Sequence, residues 1–497
     1  MTPKKNTIIK IAAIFIACAV LLACKSDFDN PVGDDSSYSN GDADFSNYVA
    51  IGDSLTAGYA DAALYQSGQE NSFPAIMAKQ FATVGGSEFK QPLVNDNLGG
   101  LLFAGRENTD YANRLILNAE TQSPEPIEGT PTTEVLNLLS VPVNNMGVPG
   151  AKSFHLGIDG YGDPAGLASG TANPYFVRFA SSTSSSMISD AISQSPSFFT
   201  LWIGNNDVLS YATSGGVGLN QSGNLDPSTY GYYDITDPNV FASVYSELVS
   251  AITSAPNVKG VLIGLPNVSS IPFFTTVPFN AVPLNQETAD ALNAAYATYN
   301  GGLQQVLSGN PDELALRTIS FSAGQNAVVI TDEDLSDLSS YGLPSIRQAT
   351  ENDFLVLTTS GKIGTLADAN NPNSVWGLGT PLEDSDVLIA SEISAIATAT
   401  SAFNSTIKAI ADANSNLAFV NIDTYMQQMA STSGISYGTG AIHATYATGG
   451  GFSLDGVHLT ARGYAVVANA TIDEINTSFN ANIPGVNPGD YTTIFIK

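Results

Sequence analysis

The chain has 497 residues, in which 46 acidic side chains stand against 17 lysines and arginines, and its formal net charge is −29. This acidity argues against nucleic-acid binding, which needs a basic footprint on the protein surface. The sequence has only two cysteines, Cys18 and Cys24, and both lie near the N-terminus. The body of the chain therefore has no disulfide, no thiolate chemistry and no cysteine-based metal site.

Residues 1–23 have the three-part layout of a secretory signal peptide. A start with three lysines leads into a short apolar stretch over 11–22, and the sequence LLAC closes it at 21–24. The apolar stretch is shorter than the roughly 20 residues of a membrane-spanning helix, although an uncleaved N-terminal anchor is the alternative. LLAC resembles a bacterial lipobox, which implies cleavage before Cys24 and lipidation of that cysteine. The lipid would hold the protein to a membrane, and we expect the outer membrane of a Gram-negative cell envelope.

Residues 24–44 are rich in Asp, Ser, Gly and Asn and contain few apolar side chains. Such a composition predicts a flexible tether, here between the lipidated cysteine and a domain over 45–497. That domain is long compared with the usual 100 to 200 or so residues. With 43% hydrophobic residues the chain can bury a sizeable core.

Apolar runs bounded by turn residues predict the strands of a buried sheet. Helical patterns separate these runs, which is typical of an α/β sheet with parallel strands. The predicted strands are Tyr48–Ile51, Phe198–Ile203, Gly260–Leu265 and Leu417–Ile422, with Val141–Met146 as a shorter fifth candidate.

Apolar residues that recur every three or four positions predict three helices, of which the one at about 386–413 and the last one would pack against this sheet. The first runs from about Gln286 to Leu307, the second from about Asp386 to Ala413, and the last follows Arg462.

Two further segments, at about 85–140 and 308–380, do not fit a minimal α/β unit. Both mix Gly, Pro, Asn, Asp and Ser with scattered apolar residues, and they are interpreted as long insertions on the core. Insertions in loops are where specificity often resides. The acidic run TDEDLSD at 331–337 lacks the glycine and terminal glutamate of an EF-hand loop. We therefore expect a solvated acidic loop there rather than a cation site.

The stretch YVAIGDSLTAGYAD at 48–61 ends a predicted strand with Asp53 and Ser54. These residues can cap the following helix, because short side-chain oxygens accept hydrogen bonds from its free N–H groups. Ser54 can also be a nucleophile, which requires a histidine base and a group that orients this base. The stretch alone is compatible with both interpretations.

The chain has three histidines, and these are the candidates for the base. His458 lies three residues after Asp455 in SLDGVHLTARGY, a spacing at which the carboxylate can reach the imidazole. The alternative is that Asp455 caps the last helix and His458 is a surface residue. His155 follows a Gly-Pro-Gly turn and can lie near a site without catalysing, whereas His443 has no carboxylate nearby in sequence. We expect both to be packing or surface residues.

Acyl transfer also needs hydrogen-bond donors for the developing oxyanion, and two stretches offer them. In NNMGVPG, at 144–150, the glycines let backbone N–H groups approach a ligand closely. In GNND, at 204–207, an amide side chain follows a predicted buried strand. Each stretch is also an ordinary turn sequence by itself.

Together, these stretches resemble the GDSL/SGNH hydrolase family in content and order. The resemblance implies a three-layer α/β/α fold with a five-stranded parallel sheet of flavodoxin-like strand order, to which the two insertions are added. A further stretch, VLIGLPNVSSIPFF at 261–274, resembles a segment that follows the fourth strand in many family esterases. The four blocks that carry the resemblance are GDSLTAGY at 52–59, NNMGVPG, GNND and DGVHLT at 455–460.

The resemblance implies a role for each matching residue. Ser54 would be the nucleophile, His458 its base and Asp455 the acid that orients His458. The backbone N–H groups of Ser54 and Gly150 and the side-chain amide of Asn206 would form the oxyanion hole. No metal and no organic cofactor would be needed for this chemistry.

The expected activity is therefore hydrolysis of carboxylic esters, with lipid or short aliphatic esters as the first candidates. Aromatic and aliphatic side chains could line an acyl pocket, although the alternative, that most of the aromatic ones belong to the core, is favoured for any one of them. Deacetylation of polysaccharides is the alternative reaction, weakened by the presence of only Trp202 and Trp376 for sugar stacking. A non-catalytic lipoprotein that binds glycans or proteins is a further alternative. The candidate acyl-pocket residues are Leu101, Leu102, Phe103, Phe198, Phe199, Phe273, Phe274 and Phe279.

Overall fold

A computed structural model describes residues 37–140, 142–438 and 440–497. The predicted signal peptide, Cys24 and residues 24–36 of the predicted tether lie outside these ranges. No helix within the described ranges is both long and apolar enough to cross a membrane.

Five parallel strands form the central sheet in the order β2-β1-β3-β4-β5. This is the flavodoxin-like order, in which the direction of the connections reverses between β1 and β3. The fold class expected from the sequence is confirmed. The strands are β1 (Tyr48–Gly52), β2 (Asn145–Gly147), β3 (Phe198–Trp202), β4 (Lys259–Ile263) and β5 (Leu417–Val420).

The sheet is buried on both faces, which explains why its strands appear in the sequence as continuous apolar runs. All five residues of β1 and all five of β3 are buried. The shortest strand, β2, begins later than the predicted Val141–Met146. Its register with β1 begins at Asn145, opposite Ala50, and the backbone N–H groups of both Asn144 and Asn145 donate to the carbonyl of Lys90.

Helices cover both faces of the sheet and give three layers. On one face α4 packs on α6, where the rings of Phe241 and Phe403 stack with centroids 4.1 Å apart. On the other face α7 packs on α2 and against β5. The principal helices are α1 (Ser54–Ala57), α2 (Phe73–Phe81), α3 (Asn206–Thr213), α4 (Pro238–Ile252), α5 (Gln286–Val306), α6 (Ala390–Asp412) and α7 (Ala461–Ser478). Shorter helices occupy Gln66–Glu70, Pro174–Val177, Met187–Ser193, Pro272–Thr275, Pro311–Arg317 and Ile422–Ala430.

The segment at 85–140 forms small sheets of its own. Leu101–Phe103 pairs with Arg106–Glu107 and with Thr133–Glu134, while Leu115–Asn118 pairs with Ser123–Pro126.

A second buried cluster lies between Val277 and Ile389, separate from the core around the sheet. It is built from α5 and from short antiparallel pairs of two or three residues each. These pairs are Val282–Leu284 with Gly324–Asn326, Val329–Thr331 with Ile346–Gln348, and Phe354–Leu355 with Val387–Leu388. One more pair, Ile435–Tyr437 with Gly440–Ile442, lies outside this cluster.

The acidic run at 331–337 is only partly solvated, so the expectation of a solvated loop is wrong for Asp332. This carboxylate is buried and pairs with Arg347, which also binds Asp353 through two hydrogen bonds of 2.6 and 2.8 Å. A buried guanidinium needs a paired carboxylate, and here Asp332 and Asp353 both pair with it. Glu333 is exposed and its carboxylate lies within 4.8 Å of those of Asp384 and Glu392.

Candidate active site

Ser54 lies directly after β1, at the first residue of α1. Asp53 precedes the helix, and its Oδ1 accepts a hydrogen bond of 3.0 Å from the N–H of Leu55. A side chain at Gly52 would come within 2.2 Å of both Thr56 Oγ1 and the carbonyl oxygen of Trp202. The turn is therefore closely packed. Asp53 caps the N-terminus of α1, so the hydroxyl of Ser54 is free to bind another partner.

That partner is His458, which is 404 positions further along the chain. Ser54 Oγ lies 2.9 Å from His458 Nε2, and His458 Nδ1 lies 2.9 Å from Asp455 Oδ2. When Nδ1–H donates to the carboxylate, Nε2 is left as the acceptor for the serine hydroxyl. The structure thus brings these three predicted residues into one hydrogen-bonded series.

Asp455 is held as a carboxylate by several donors. Burial opposes its ionisation, but His458 and backbone N–H groups, including that of Ala62 at 2.9 Å, hold the pKa of Asp455 well below its usual value. The backbone N–H groups of Val457 and His458 donate to Oδ1 at 2.9 and 2.8 Å. The ring of Tyr59 packs on the imidazole with centroids 4.6 Å apart. These contacts fix the orientation of the histidine.

Hydrogen-bond donors lie beside Ser54. Gly150 has φ +83°, in the left-handed region that favours glycine, and both Gly150 and Asn206 line the same cleft as Ser54 and His458. Asn206 uses one amide hydrogen to bind the carbonyl of Ala151 at 3.0 Å, which fixes the amide and leaves its second hydrogen. Within the described part of the chain, the backbone N–H groups of Ser54 and Gly150 have no hydrogen-bond acceptor. The site therefore has unused donors near the serine hydroxyl.

A buried carboxylate, Asp207, joins the two stretches that carry Gly150 and Asn206. Its Oδ2 accepts from the N–H of Ser153 at 2.8 Å and its Oδ1 from the Ser153 hydroxyl at 2.7 Å. Burial raises the pKa of Asp207, whereas Ser153 and the nearby Lys152 oppose this rise. The sequence does not predict this link, because Ser153 and Asp207 are 54 positions apart and belong to no shared motif.

A second buried carboxyl, Asp53, joins the loops after β1 and β3. Its Oδ2 accepts a hydrogen bond of 2.9 Å from the side-chain amide of Asn205. Burial raises the pKa of Asp53 to about 6, against the lowering effect of the hydrogen bonds from Asn205 and Leu55.

The cleft above Ser54 has a volume of about 1010 Å³ and is rich in aromatic side chains. Of the predicted acyl-pocket residues, Phe103 and Phe273 line it, whereas Phe198 and Phe199 are fully buried in the core. Most of the rings come from tyrosines that sequence reasoning missed, because they are scattered along the chain and form no pattern. The cleft-lining tyrosines are Tyr59, Tyr111, Tyr161, Tyr175, Tyr230 and Tyr232.

The two other histidines differ in position. His155 lines the cleft, where it stacks on Tyr161 with centroids 4.7 Å apart and accepts a hydrogen bond from the N–H of Lys152. Burial, followed by the charge of Lys152, lowers the pKa of His155 to about 4. His443 lies outside the cleft, with Nδ1 3.3 Å from the carbonyl of Ser431.

One family model, described as GDSL-like Lipase/Acylhydrolase, matches residues 48–330. The matched region contains Ser54, Gly150 and Asn206 and ends before Asp455 and His458. No curated protein and no solved structure matches the chain. Since the matched region spans more than half of its residues, the chain belongs to the GDSL-like lipase/acylhydrolase family.

Proposed function

We propose that the protein is a serine hydrolase that cleaves carboxylic esters through an acyl-enzyme on Ser54. Membership of the family supports ester hydrolysis in general. The observation that carries the finer proposal is the unbroken series from Ser54 Oγ through His458 to Asp455, with unpaired N–H groups beside it. A nucleophile, a base, an orienting carboxylate and oxyanion donors are the parts that acyl transfer needs.

In the first half of the proposed reaction, Ser54 Oγ attacks the carbonyl carbon of the ester and its proton passes to His458 Nε2. The carbonyl oxygen becomes an oxyanion, which accepts hydrogen bonds from the N–H groups of Ser54 and Gly150 and from the amide of Asn206. When the intermediate collapses, the bond to the alcohol oxygen breaks and His458 returns the proton to that oxygen. The alcohol leaves and the acyl group stays on Ser54.

In the second half, a water molecule attacks the acyl carbonyl while His458 takes its proton. The bond between the acyl carbon and Ser54 Oγ breaks, His458 gives the proton back to the serine, and the carboxylic acid leaves. Asp455 stays ionised throughout and stabilises the imidazolium that forms in each half. The low pKa of this carboxyl suits that role.

The proposal is tested by kinetics on nitrophenyl esters from acetyl to long acyl chains, with the chain lacking residues 1–24. We expect Ser54→Ala to lower kcat on the order of 10⁶-fold, as loss of the nucleophile does in serine hydrolases. Asn206→Ala should cost roughly 100- to 1,000-fold, because one oxyanion donor is lost. Hydrolysis that is unchanged in Ser54→Ala would refute the mechanism.

The size of the cleft and its tyrosines favour a second candidate within the same chemistry, the deacetylation of a carbohydrate. Tyrosine rings and hydroxyls offer both stacking faces and hydrogen bonds to a bulky alcohol. The two tryptophans give no such support, because Trp202 is fully buried in the core and Trp376 does not line the cleft. A strict preference for acetyl in the nitrophenyl series would favour this candidate over a lipase or general esterase.

We also propose, from the sequence alone, that Cys24 is lipidated and holds the protein in the cell envelope. The support is the LLAC sequence after a short apolar stretch. Incorporation of labelled palmitate into the full chain, and its loss in Cys24→Ser, tests the proposal. Equal labelling of both forms would contradict it.

A further inference from the structure

The walls of the cleft contain almost no positive charge. None of the described residues that line it is an arginine, and its only lysine is Lys152. The Lys152 side chain is 1% exposed, and its Nζ donates a hydrogen bond of 2.7 Å to the carbonyl of Asp234. Its ammonium group therefore binds the protein itself and does not face a ligand.

Negative charge is present in the same walls. Asp455 keeps its carboxylate ionised through its contacts with His458 and backbone N–H groups, and Asp110 is an exposed carboxylate on the cleft wall. The chain as a whole is also acidic, with a formal net charge of −29. Apart from the buried Lys152, the ionised side chains of these walls carry negative charge, and a cleft lined in this way concentrates that potential.

The remaining polar groups of the cleft are uncharged. Burial raises the pKa of Tyr59, Tyr161 and Tyr175 above that of an ordinary tyrosine, so their hydroxyls stay protonated near neutral pH. Asn108 adds an amide group to the same walls, whereas the amide of Asn173 is held by the carbonyl of Pro149 and the N–H of Tyr175. These side chains can bind neutral polar groups, but they cannot offset the charge of a phosphate or carboxylate that leaves water.

We propose that this cleft discriminates against anionic esters, and that the natural substrate has no negative charge near its reacting carbonyl. The inference rests on the proposed ester hydrolysis and names the class of substrate for that site. An anion in the cleft would lose its hydration, meet the ionised Asp455 and find no cation as a partner. Esters next to a phosphate, as in phospholipids, belong to the excluded class, whereas neutral esters do not.

The test compares two pairs of esters that differ in one negative charge. For the acyl side, the pair is the 4-nitrophenyl ester of glutaric acid with its second carboxyl free, and the same compound with that carboxyl methylated. For the alcohol side, the pair is 4-acetoxybenzoate and its methyl ester. Each kcat/KM is divided by the rate constant for hydrolysis in hydroxide, which removes the intrinsic reactivity of the ester.

We expect the anionic member of each pair to have a kcat/KM about 10- to 100-fold lower, because like charges repel strongly in a partly desolvated cleft. Added salt should reduce this ratio, since the origin is electrostatic. Equal efficiency of both members in either pair would overturn the inference while leaving ester hydrolysis intact. If neither neutral ester is cleaved in a Ser54-dependent way, the proposed function itself fails.

A pair of variants tests whether the discrimination against anionic esters has an electrostatic cause. Ser228 lines the edge of the cleft, and Ser228→Lys places an ammonium group there. Ser222, an exposed residue of the same loop, does not line the cleft, so Ser222→Lys is the matched control. Ser228→Lys should reduce the discrimination several-fold and Ser222→Lys should not. The same discrimination ratio in wild type and both variants would contradict an electrostatic cause.

Discussion

Asp53 shows how one side chain can be both a helix cap and a link between two loops of the site. Its two oxygens accept hydrogen bonds from the N–H of Leu55 and from the amide of Asn205, and it is fully buried. This burial raises its pKa from 3.8 to about 6 in the folded protein. In the unfolded chain the pKa of Asp53 should return to its ordinary value, so folding of the protein and protonation of this residue are coupled.

The coupling predicts how stability changes with pH. Because the folded pKa lies above the unfolded one, Asp53 favours folding most at low pH, and this contribution is lost as pH rises towards 6 and beyond. Asp53→Asn removes it. We expect the free energy of unfolding of Asp53→Asn, relative to wild type, to rise by roughly 2 kcal/mol between pH 4 and pH 7.

The measurement is denaturant unfolding of both proteins across this pH range. The altered hydrogen bonds should change the free energy of unfolding of Asp53→Asn by the same amount at every pH. The test is therefore how the difference in unfolding free energy between the two proteins changes with pH. Parallel stability curves would contradict the assignment of a raised pKa to Asp53.

At the scale of elements, the site depends on the contact between the loop after β2 and the start of α3. Gly150 belongs to that loop and Asn206 to the first turn of α3, so both donors depend on the same contact. Asp207 makes it through two hydrogen bonds to Ser153. A shift of a donor by about 1 Å can cost on the order of 100-fold in rate, so we expect this buried link to position the proposed oxyanion hole.

Ser153→Ala tests this positioning role. It removes the 2.7 Å hydrogen bond from the hydroxyl and leaves a buried carboxylate with one donor fewer. We expect a stability loss of about 1 to 3 kcal/mol and, at saturating substrate, a kcat about tenfold lower with little change in KM.

The matched control is Ser169→Ala, which removes an exposed hydroxyl bound to the carbonyl of Gly166. It should change neither kcat nor KM. A stability loss in Ser153→Ala without any change in kcat would leave Ser153 a purely structural residue.

The elements also show what could be predicted from the sequence. The strands β1, β3, β4 and β5 were predicted to within about two residues, because a strand that is buried on both faces is a continuous apolar run. The start of β2 could not be predicted, since it is set by the register with β1, which begins where Ala50 lies opposite Asn145.

Contacts between residues that lie far apart in the chain could not be predicted from the sequence either. The resemblance to the GDSL/SGNH hydrolase family indicated Ser54, Gly150, Asn206, Asp455 and His458, which the structure brings to one cleft, but their roles stay predictions. The tyrosines of that cleft and the link from Asp207 to Ser153 form no local pattern, because the fold alone places them together.

At the scale of the whole molecule, the two largest buried clusters of the described residues differ in construction. The sheet and its helices form the large core, whereas the cluster between Val277 and Ile389 is assembled from strands of two or three residues. Such short strands have too few residues for a recognisable alternation, so this cluster could not be predicted. Its polar centre is Arg347 between Asp332 and Asp353.

Arg347→Met tests the importance of this centre. The substitution leaves two buried carboxylates without their cation, which should destabilise the protein by about 3 to 5 kcal/mol. Lys408→Met is the control, because Lys408 and Asp412 form an exposed pair, of a kind that contributes about 0 to 1 kcal/mol. Denaturant unfolding measures both. Equal stability of the two variants would contradict a structural role for the buried group.

The proposed function depends on ester hydrolysis that proceeds through an acyl group on Ser54. The most direct measurement is mass spectrometry of the protein quenched in acid during turnover of a nitrophenyl ester. The proposed mechanism predicts a mass increase of one acyl group, located on the peptide that contains Ser54, and no such increase in Ser54→Ala. Continued hydrolysis with the acyl group on another residue, or with an acylated Ser54→Ala protein, would contradict it.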